Sequence, residues 1–545
     1  MTNKILIVGL DGGSWNVLNP MFKKGLLKNL RNIIKNGASG ILKSTHPPMT
    51  PPAWTSFLTG VNPGKHGIFG FTKKSPNSYD FEPINRFDIK KPSIWRILSD
   101  RGKKVISINV PMTFPPEKVN GYIITGMMTP DETSNFTYPE NLKNELHDAG
   151  IHYRIDLKSS RNVEKRQKAE YIQYMMKNNA KAFFDDLYEL TENRLKATLY
   201  LLEKEWDIFM TVFVGMDRLQ HFLWDYIDER KTKNIKITKR IYEYYNYLDE
   251  CVCKIFKYVD NHTTFIIISD HGFGKYEGNI YLNKWLKDQG FLKLKKKTWL
   301  LKVLKKIAKS CGLTSKKISK YSKMQIAQKM YSWSLLVDWK HTKAYLSNVN
   351  GININLKGRE PYGCVQPGEE YEKTRQELTQ KLYSIRDPNT NQPIIRKVYK
   401  KEEIFKGECF QEAPDLLILF SEIVNYTALK NEYDVPNIFS ENPWVKGNHR
   451  MDGIYVMNGK YIKSNIKYDK AEIIDIFPTI FYLLQEPIPD YVDGRVLKEI
   501  IKDEFLYHNE VKYIAEDNKV TKQKYGYSEE ETQKIKDRLK GLGYM

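Results

Sequence analysis

Three short stretches of this 545-residue chain place acids and histidines at spacings that suit metal chemistry. In Gly215-Met-Asp-Arg-Leu-Gln-His221, Asp217 and His221 stand four residues apart, so on a helix they project from one face and can share a divalent cation. In Ser269-Asp-His-Gly272, Asp270 and His271 are adjacent; in Leu10-Asp-Gly-Gly13, Asp11 is followed by two glycines that let the backbone turn sharply. A fourth candidate, His449, lies in the glycine-containing loop Lys446-Gly-Asn-His-Arg-Met-Asp-Gly453. Each has a plainer reading when taken singly: Asp11 as a helix cap, the Asp217/His221 spacing as coincidence, His449 as an ordinary loop histidine. Together they make a mixed oxygen and nitrogen set that suits zinc first and manganese second. Such a set, with a bridging nucleophile, is enough for two metal ions a few ångströms apart, the arrangement that stabilises attacking and leaving oxygens during in-line displacement at phosphorus.

The elements that must carry these residues are legible as short apolar runs. Residues 5–10, 208–214 and 264–268 are β-rich and lead directly into Asp11, the Asp217 segment and Asp270; residues 105–110 and 122–125 repeat the pattern. Helical patterns separate them. Continuous apolar strands alternating with helices predict an α/β chain with a mostly parallel sheet buried on both faces, whose ligands bind beyond the carboxyl ends of the strands. All three strand-borne candidates fall at such ends.

Composition sets the bounds. Apolar residues make up 41% and charged residues 28%, with 35 tyrosines, which excludes global disorder. The five cysteines form no zinc-type pairing and no disulfide framework, which fits a reducing compartment. The chain opens on a core-like strand rather than a signal segment, and no run approaches the length of a spanning helix, so a cytoplasmic location is expected. The net charge of +21 describes solubility and encounter with anions rather than chemistry. No sequence-specific nucleic acid is expected, and oligomeric state is not encoded legibly.

Domain organisation reads as a catalytic core in two parts, 1–290 and 421–505, separated by a basic helical insertion at 291–337 and a second block or cap at 338–420. Within the insertion, residues 291–323 hold twelve lysines and no acid, the pattern either of a solvated amphipathic insertion or of an anionic membrane surface contact. The second block should contain a strand near 351–356 and a helix at 369–383. Residues 506–545 form a tail whose helix opens at Ser528 with acids in its first turn.

The stretch His46-Pro-Pro-Met-Thr-Pro-Pro-Ala-Trp-Thr-Ser-Phe-Leu-Thr-Gly-Val-Asn-Pro-Gly-Lys-His-Gly-Ile68 resembles the type I phosphodiesterase/nucleotide pyrophosphatase branch of the alkaline phosphatase superfamily. That branch carries Thr or Ser, then Pro two positions on, and an S-x-x-T-G-x-x-P-x-x-H-G-I continuation; Thr50, Ser56, Thr59, Gly60, Pro63, His66, Gly67 and Ile68 match. The other candidates fall in the family's order, over roughly 1–290 and 410–500. The resemblance implies an alkaline-phosphatase-like sheet sandwiched by helices with an inserted cap. It also implies Thr50 as nucleophile, one metal held by Asp217, His221 and His449, and the other by Asp11, Asp270, His271 and Thr50. A hydroxyl is a poor nucleophile unaided, so Thr50 would need that coordination. Pro51 and Pro52 would hold it at a helix start, where backbone N–H groups favour an anion.

Two departures narrow the expectation. The family's phosphate-binding Asn after H-G-I is replaced by Phe69-Gly-Phe71, which leaves Asn62, Lys65 and Arg450 as candidate substrate contacts. The sulfatase pattern C/S-x-P-x-R is also absent, since Thr50-Pro-Pro-Ala-Trp54 stands in its place. The expected activity is therefore metal-dependent phosphoester hydrolysis through a phosphothreonine, on a phosphorylated small molecule or a glycan- or lipid-linked substrate. Transfer or mutase chemistry, and noncatalytic membrane-surface binding, are the alternatives.

Overall fold

The computed structural model describes residues 3–158, 165–227, 234–295, 333–347, 350–429, 435–441, 445–516, 525–542 and 544. Its centre is one large twisted sheet built from β1 (Lys4–Leu10), β2 (Ala38–Lys43), β3 (Val105–Val110), β4 (Gly121–Thr125), β5 (Thr137–Tyr138), β6 (Ile208–Phe213), β7 (Thr263–Ile268), β8 (Asp452–Asn458) and β9 (Ile466–Lys467). The spatial order is β9-β2-β8-β7-β1-β6-β3-β4-β5, with β10 (Ala471–Glu472) pairing beside β2. The run β7-β1-β6-β3-β4 is parallel throughout, and β8 lies antiparallel to both β7 and β2. β3, β6 and β7 are buried along their whole length, which is why they read as unbroken apolar runs rather than alternating ones.

Three helices position the site: α1 (Thr50–Thr59), α2 (Gly215–Ile227) and α3 (Glu529–Leu542). Every residue of α1 is buried, and it packs against β1 at Gly9, where a Cβ would lie 2.9 Å from the Trp54 ring and 2.7 Å from Val212. Only glycine lets the helix approach that closely.

A second apolar cluster underlies residues 280–428. There a four-stranded antiparallel sheet, in the order Ala344–Leu346, Gly351–Ile354, Leu416–Phe420, Ile395–Lys400, is covered by the helix Glu369–Tyr383. The basic stretch proposed as a membrane contact lies, from residue 296 onward, outside the described residues. No described helix is long and apolar enough to cross a membrane.

One local expectation is corrected. His449 is not in a loop but on the short strand Gly447–Arg450, which pairs antiparallel with Gly272–Lys275 and sets His449 opposite Phe273. The residues after Asp270-His271 stay extended, so the two histidine-bearing segments are stitched together by backbone hydrogen bonds.

Candidate active site

β7, β1 and β6 are neighbours, so their carboxyl ends bring Asp270, Asp11 and the start of α2 side by side. The Asp11 N–H donates to Phe213 O at 3.0 Å, continuing the β1–β6 ladder by one residue. Gly12, at φ +69°, then turns the chain close against Asp217, whose Cα would be 3.2 Å from a Cβ there. α2 starts at Gly215 and projects Asp217 and His221 from one face, as their spacing requires.

Two ligand sets result, each with donor atoms within 4.8 Å of one another: Asp217, His221 and His449, and Asp11, Asp270 and His271. In the first, His221 Nε2 lies 3.4 Å and His449 Nε2 3.3 Å from Asp217 Oδ1, and the two Nε2 atoms are 3.1 Å apart. In the second, His271 Nε2 is 3.2 Å from Asp270 Oδ2 and 3.7 Å from Asp11 Oδ1. The His271 and His449 rings stack at 3.5 Å, so the sets are contiguous. Thr50 Oγ1 lies 3.4 Å from His271 Nε2, at the start of α1.

The histidine orientations are fixed in one pattern. Nδ1 of His221 is 3.0 Å from Gly447 O, that of His449 is 3.1 Å from Pro48 O, and that of His271 is 3.2 Å from Gly272 O. A carbonyl only accepts, so each Nδ1–H donates and each Nε2 lone pair faces the site. Opposite them, Asp11 Oδ1, Asp217 Oδ1 and Asp270 Oδ2 are buried with no hydrogen-bond partner. Buried carboxylate oxygens without partners are costly, and a divalent cation among these atoms removes that cost. The residues present therefore fit two cations of the zinc or manganese type.

The electrostatics agree. Burial, then the neighbouring carboxylates Asp270 and Asp217, push Asp11 well above the ordinary carboxyl range, and Asp270 is raised by burial and Asp217. Asp217 behaves oppositely: burial raises it, but His221 and Arg218 outweigh that and hold it well below the usual range. Burial keeps His271 and His449 below the ordinary imidazole value.

The sequence reading missed the groups that brace the first set. The fully buried Arg218 guanidinium grips Asp156 through two bonds, 3.0 Å from Nε and 2.8 Å from Nη2, and donates through Nη1 to Asp217 Oδ2 and to the Tyr544 hydroxyl at 3.2 Å. Tyr544 donates to Asp217 Oδ2 at 3.0 Å. Arg218 had a visible signal, its place beside Asp217; Asp156 and Tyr544 had none, because folding alone brings them in.

The three candidate substrate contacts have other partners. Asn62 caps the turn Pro63–His66 and, with Lys65, holds Asp493; Lys65 Nζ is 2.6 Å from Asp493 Oδ1 and 2.8 Å from Tyr491 O. Arg450 is buried and gives its guanidinium to the carbonyls of Asn448, His449, Lys275 and Glu422. The motif residues Ser56 and His66 also pair with each other, at 3.0 Å, and brace α1. The prolines correct a further expectation. Pro51 and Pro52 carry no N–H and Ala53 N–H donates to Met49 O, so the first turn of α1 offers an anion only the Thr50 N–H.

A mostly parallel sheet flanked by helices, with candidate metal-binding acids at adjacent strand ends, is the alkaline-phosphatase-like fold. The chain belongs to the type I phosphodiesterase/nucleotide pyrophosphatase family, whose model matches residues 5–452, and it acts on phosphoester bonds. Among solved structures, phosphonoacetate hydrolase from Sinorhizobium meliloti 1021, in complex with phosphonoformate, is 16% identical over 89% of this chain and 95% of its own, with a TM-score of 0.50. Mouse and human ectonucleotide pyrophosphatase/phosphodiesterase 5 are 13% and 14% identical over 92% of this chain and 100% of theirs, each with a TM-score of 0.47. The likeness to phosphonoacetate hydrolase concerns the fold alone. No curated protein sequence matches the chain.

Proposed function

We propose that this protein is a metal-dependent phosphoester hydrolase in which Thr50 is the nucleophile. The observation that carries the reading is the convergence of three oriented Nε2 atoms on three partnerless carboxylate oxygens beside the Thr50 hydroxyl. Asp217, His221 and His449 would hold one divalent cation, and Asp11, Asp270, His271 and Thr50 the other, with zinc the first choice and manganese the second. Bound there, such ions supply Lewis acidity that favours the threonine alkoxide and neutralises charge on the transferring phosphoryl group. Thr50 Oγ1 attacks phosphorus, the P–O bond to the leaving group breaks, and the resulting phosphothreonine is hydrolysed by water, which returns the Thr50 hydroxyl and releases phosphate or a phosphomonoester. The buried frame of α1 keeps Thr50 in one position through this cycle.

The substrate we infer is a phosphorylated small molecule; the cleft beside His449 that would receive its leaving group is lined by polar residues, among them Asn350, Asn425 and Thr427, and by apolar ones, among them Met49, Leu417 and Phe420. Phe71, in place of the family's phosphate-binding Asn, stacks on Tyr544 at 4.7 Å and offers no donor.

Thr50→Ala tests the reading. Elemental analysis should find two divalent ions per chain in both proteins, while turnover on a panel of phosphomonoesters and diesters should fall by about 1,000-fold or more in the variant. Full activity of Thr50→Ala on every ester the native protein cleaves would overturn the mechanism.

A further inference from the structure

We propose that Tyr544 is a positioning residue for the Asp217, His221 and His449 set, so that docking of the segment 525–544 governs how tightly that set holds a divalent cation. This rests on the reading above only in taking the set as a cation site. Tyr544 lies beyond the family-matched residues 5–452, yet its hydroxyl is 3.0 Å from Asp217 Oδ2, 3.3 Å from His221 Nε2 and 3.2 Å from Arg218 Nη1. Asp217 Oδ2 thus takes both the Tyr544 and the Arg218 donors, which fixes the rotation of the carboxylate and leaves Oδ1 facing the two histidines. Donors that hold a ligand's second oxygen in this way orient it for the metal. Among the described residues, Tyr544 makes no hydrogen bond to Asp11, Asp270 or His271, so its effect should fall on one set.

The segment is built to deliver this side chain. α3 opens with a reciprocal cap in which Glu531 N–H donates to Ser528 Oγ at 3.1 Å and Ser528 N–H donates to the Glu531 carboxylate at 2.8 Å. Its apolar face, Ile535, Leu539 and Leu542, seats in a groove that includes Met49, Ile68, Phe71, Met112, Met127 and Met128. Arg538 donates to Thr129 O at 2.5 Å and Pro130 O at 2.7 Å, and Tyr527 OH to Met128 O at 2.8 Å. After α3 the Tyr544 N–H bonds back to Leu539 O at 2.9 Å, and the ring turns inward onto Phe71. A methionine-rich groove adapts to the helix it receives, so docking can loosen without unfolding the core.

The test uses the full chain, stripped with a chelator and titrated with zinc or manganese under competition. The native protein should bind two ions. Tyr544→Phe, which keeps the ring and its stacking, should weaken one of them by about 10- to 100-fold and leave the other unchanged. Arg538→Ala, which loosens the segment from its groove, should weaken the same ion by a smaller factor. Reciprocity requires that metal binding slow amide hydrogen exchange across 525–544 in the native chain. Tyr544→Phe that binds both ions as the native protein does, or that weakens both equally, would overturn the inference while leaving the functional reading intact. A native chain that takes up no metal would overturn both.

Discussion

The two ligand sets meet at the stacked His271 and His449 rings and are held in opposite ways. The Asp217 set draws on α2, the strand Gly447–Arg450, Asp156 and Tyr544, with a buried arginine against its carboxylate. The Asp11 set stands on two adjacent strand ends and the start of α1; its support for Asp270 comes from backbone N–H groups, that of Gly12 at 3.4 Å from Oδ1 and those of Asp270 and His271. One carboxylate is thereby kept ionised by fixed protein charge, whereas Asp11 and Asp270 repel each other and Asp217. The lesson is that one half of the site is preorganised by the fold and the other half depends on its cation for cohesion.

Neutralising one acid in each set breaks or sharpens this contrast. In chelator-treated protein, Asp217→Asn leaves the Arg218–Asp156 pair intact but takes a carboxylate acceptor from the buried guanidinium and from Tyr544, and should lower stability by about 3 kcal/mol, the upper range for a hydrogen bond to a charged group. Asp270→Asn keeps the acceptor for Gly12 N–H and removes a repelling charge, so it should be neutral or stabilising by about 1 kcal/mol. Urea unfolding midpoints decide between them, and two variants that shift the same way by the same amount would erase the asymmetry.

How much of this was legible follows from the same contrast. The strands ending at Asp11 and Asp270, and the i, i+4 pair on α2, are local patterns, and the structure places them at one sheet edge as the apolar runs implied. The helix Glu369–Tyr383 and the helical start at Thr50 were likewise written in short-range sequence. What escaped was long-range. The antiparallel β8 that joins β2 to the parallel run, and the pairing of 447–450 with 272–275 that puts His449 on a strand, depend on partners far along the chain. Asp156 and Tyr544 carry no motif at all, and the polar atoms of Asn62 and Lys65 meet Asp493, a partner more than 400 residues along the chain.

A smaller effect should separate the brace of α1 from the Asp217 set. Ile68 N–H donates to His66 Nδ1 at 3.1 Å, so the neutral ring carries its proton on Nε2 and donates it to Ser56 Oγ at 3.0 Å, with both side chains fully buried. Ser56→Ala leaves that N–H without an acceptor, which costs about 2 kcal/mol. Because Ser56 lies on the helix that carries Thr50, turnover should fall with the unfolding midpoint while zinc affinity at the Asp217 set stays at the native value; a matching drop in that affinity would show the two halves to be mechanically one.

The same brace sets an acid limit that involves no cation. Burial lowers the His66 pKa from 6.5 to about 3, so between those values the unfolded chain takes up a proton that the folded chain refuses. Stability from this group is complete above pH 6.5 and is lost as pH falls toward 3, at up to about 1.4 kcal/mol per pH unit. His46, lowered to about 4 by burial, adds the same trend to native and variant alike. In His66→Asn the amide oxygen can still accept from Ile68 N–H, but no titrating ring remains, so the stability of the chelated variant should fall less steeply from pH 6.5 to 4 than that of the chelated native chain. Parallel curves would mean that α1 is not held by a neutral His66. Divergent curves would assign this part of the acid sensitivity to the Thr50 side of the site, where a buried uncharged pair keeps the nucleophile in place.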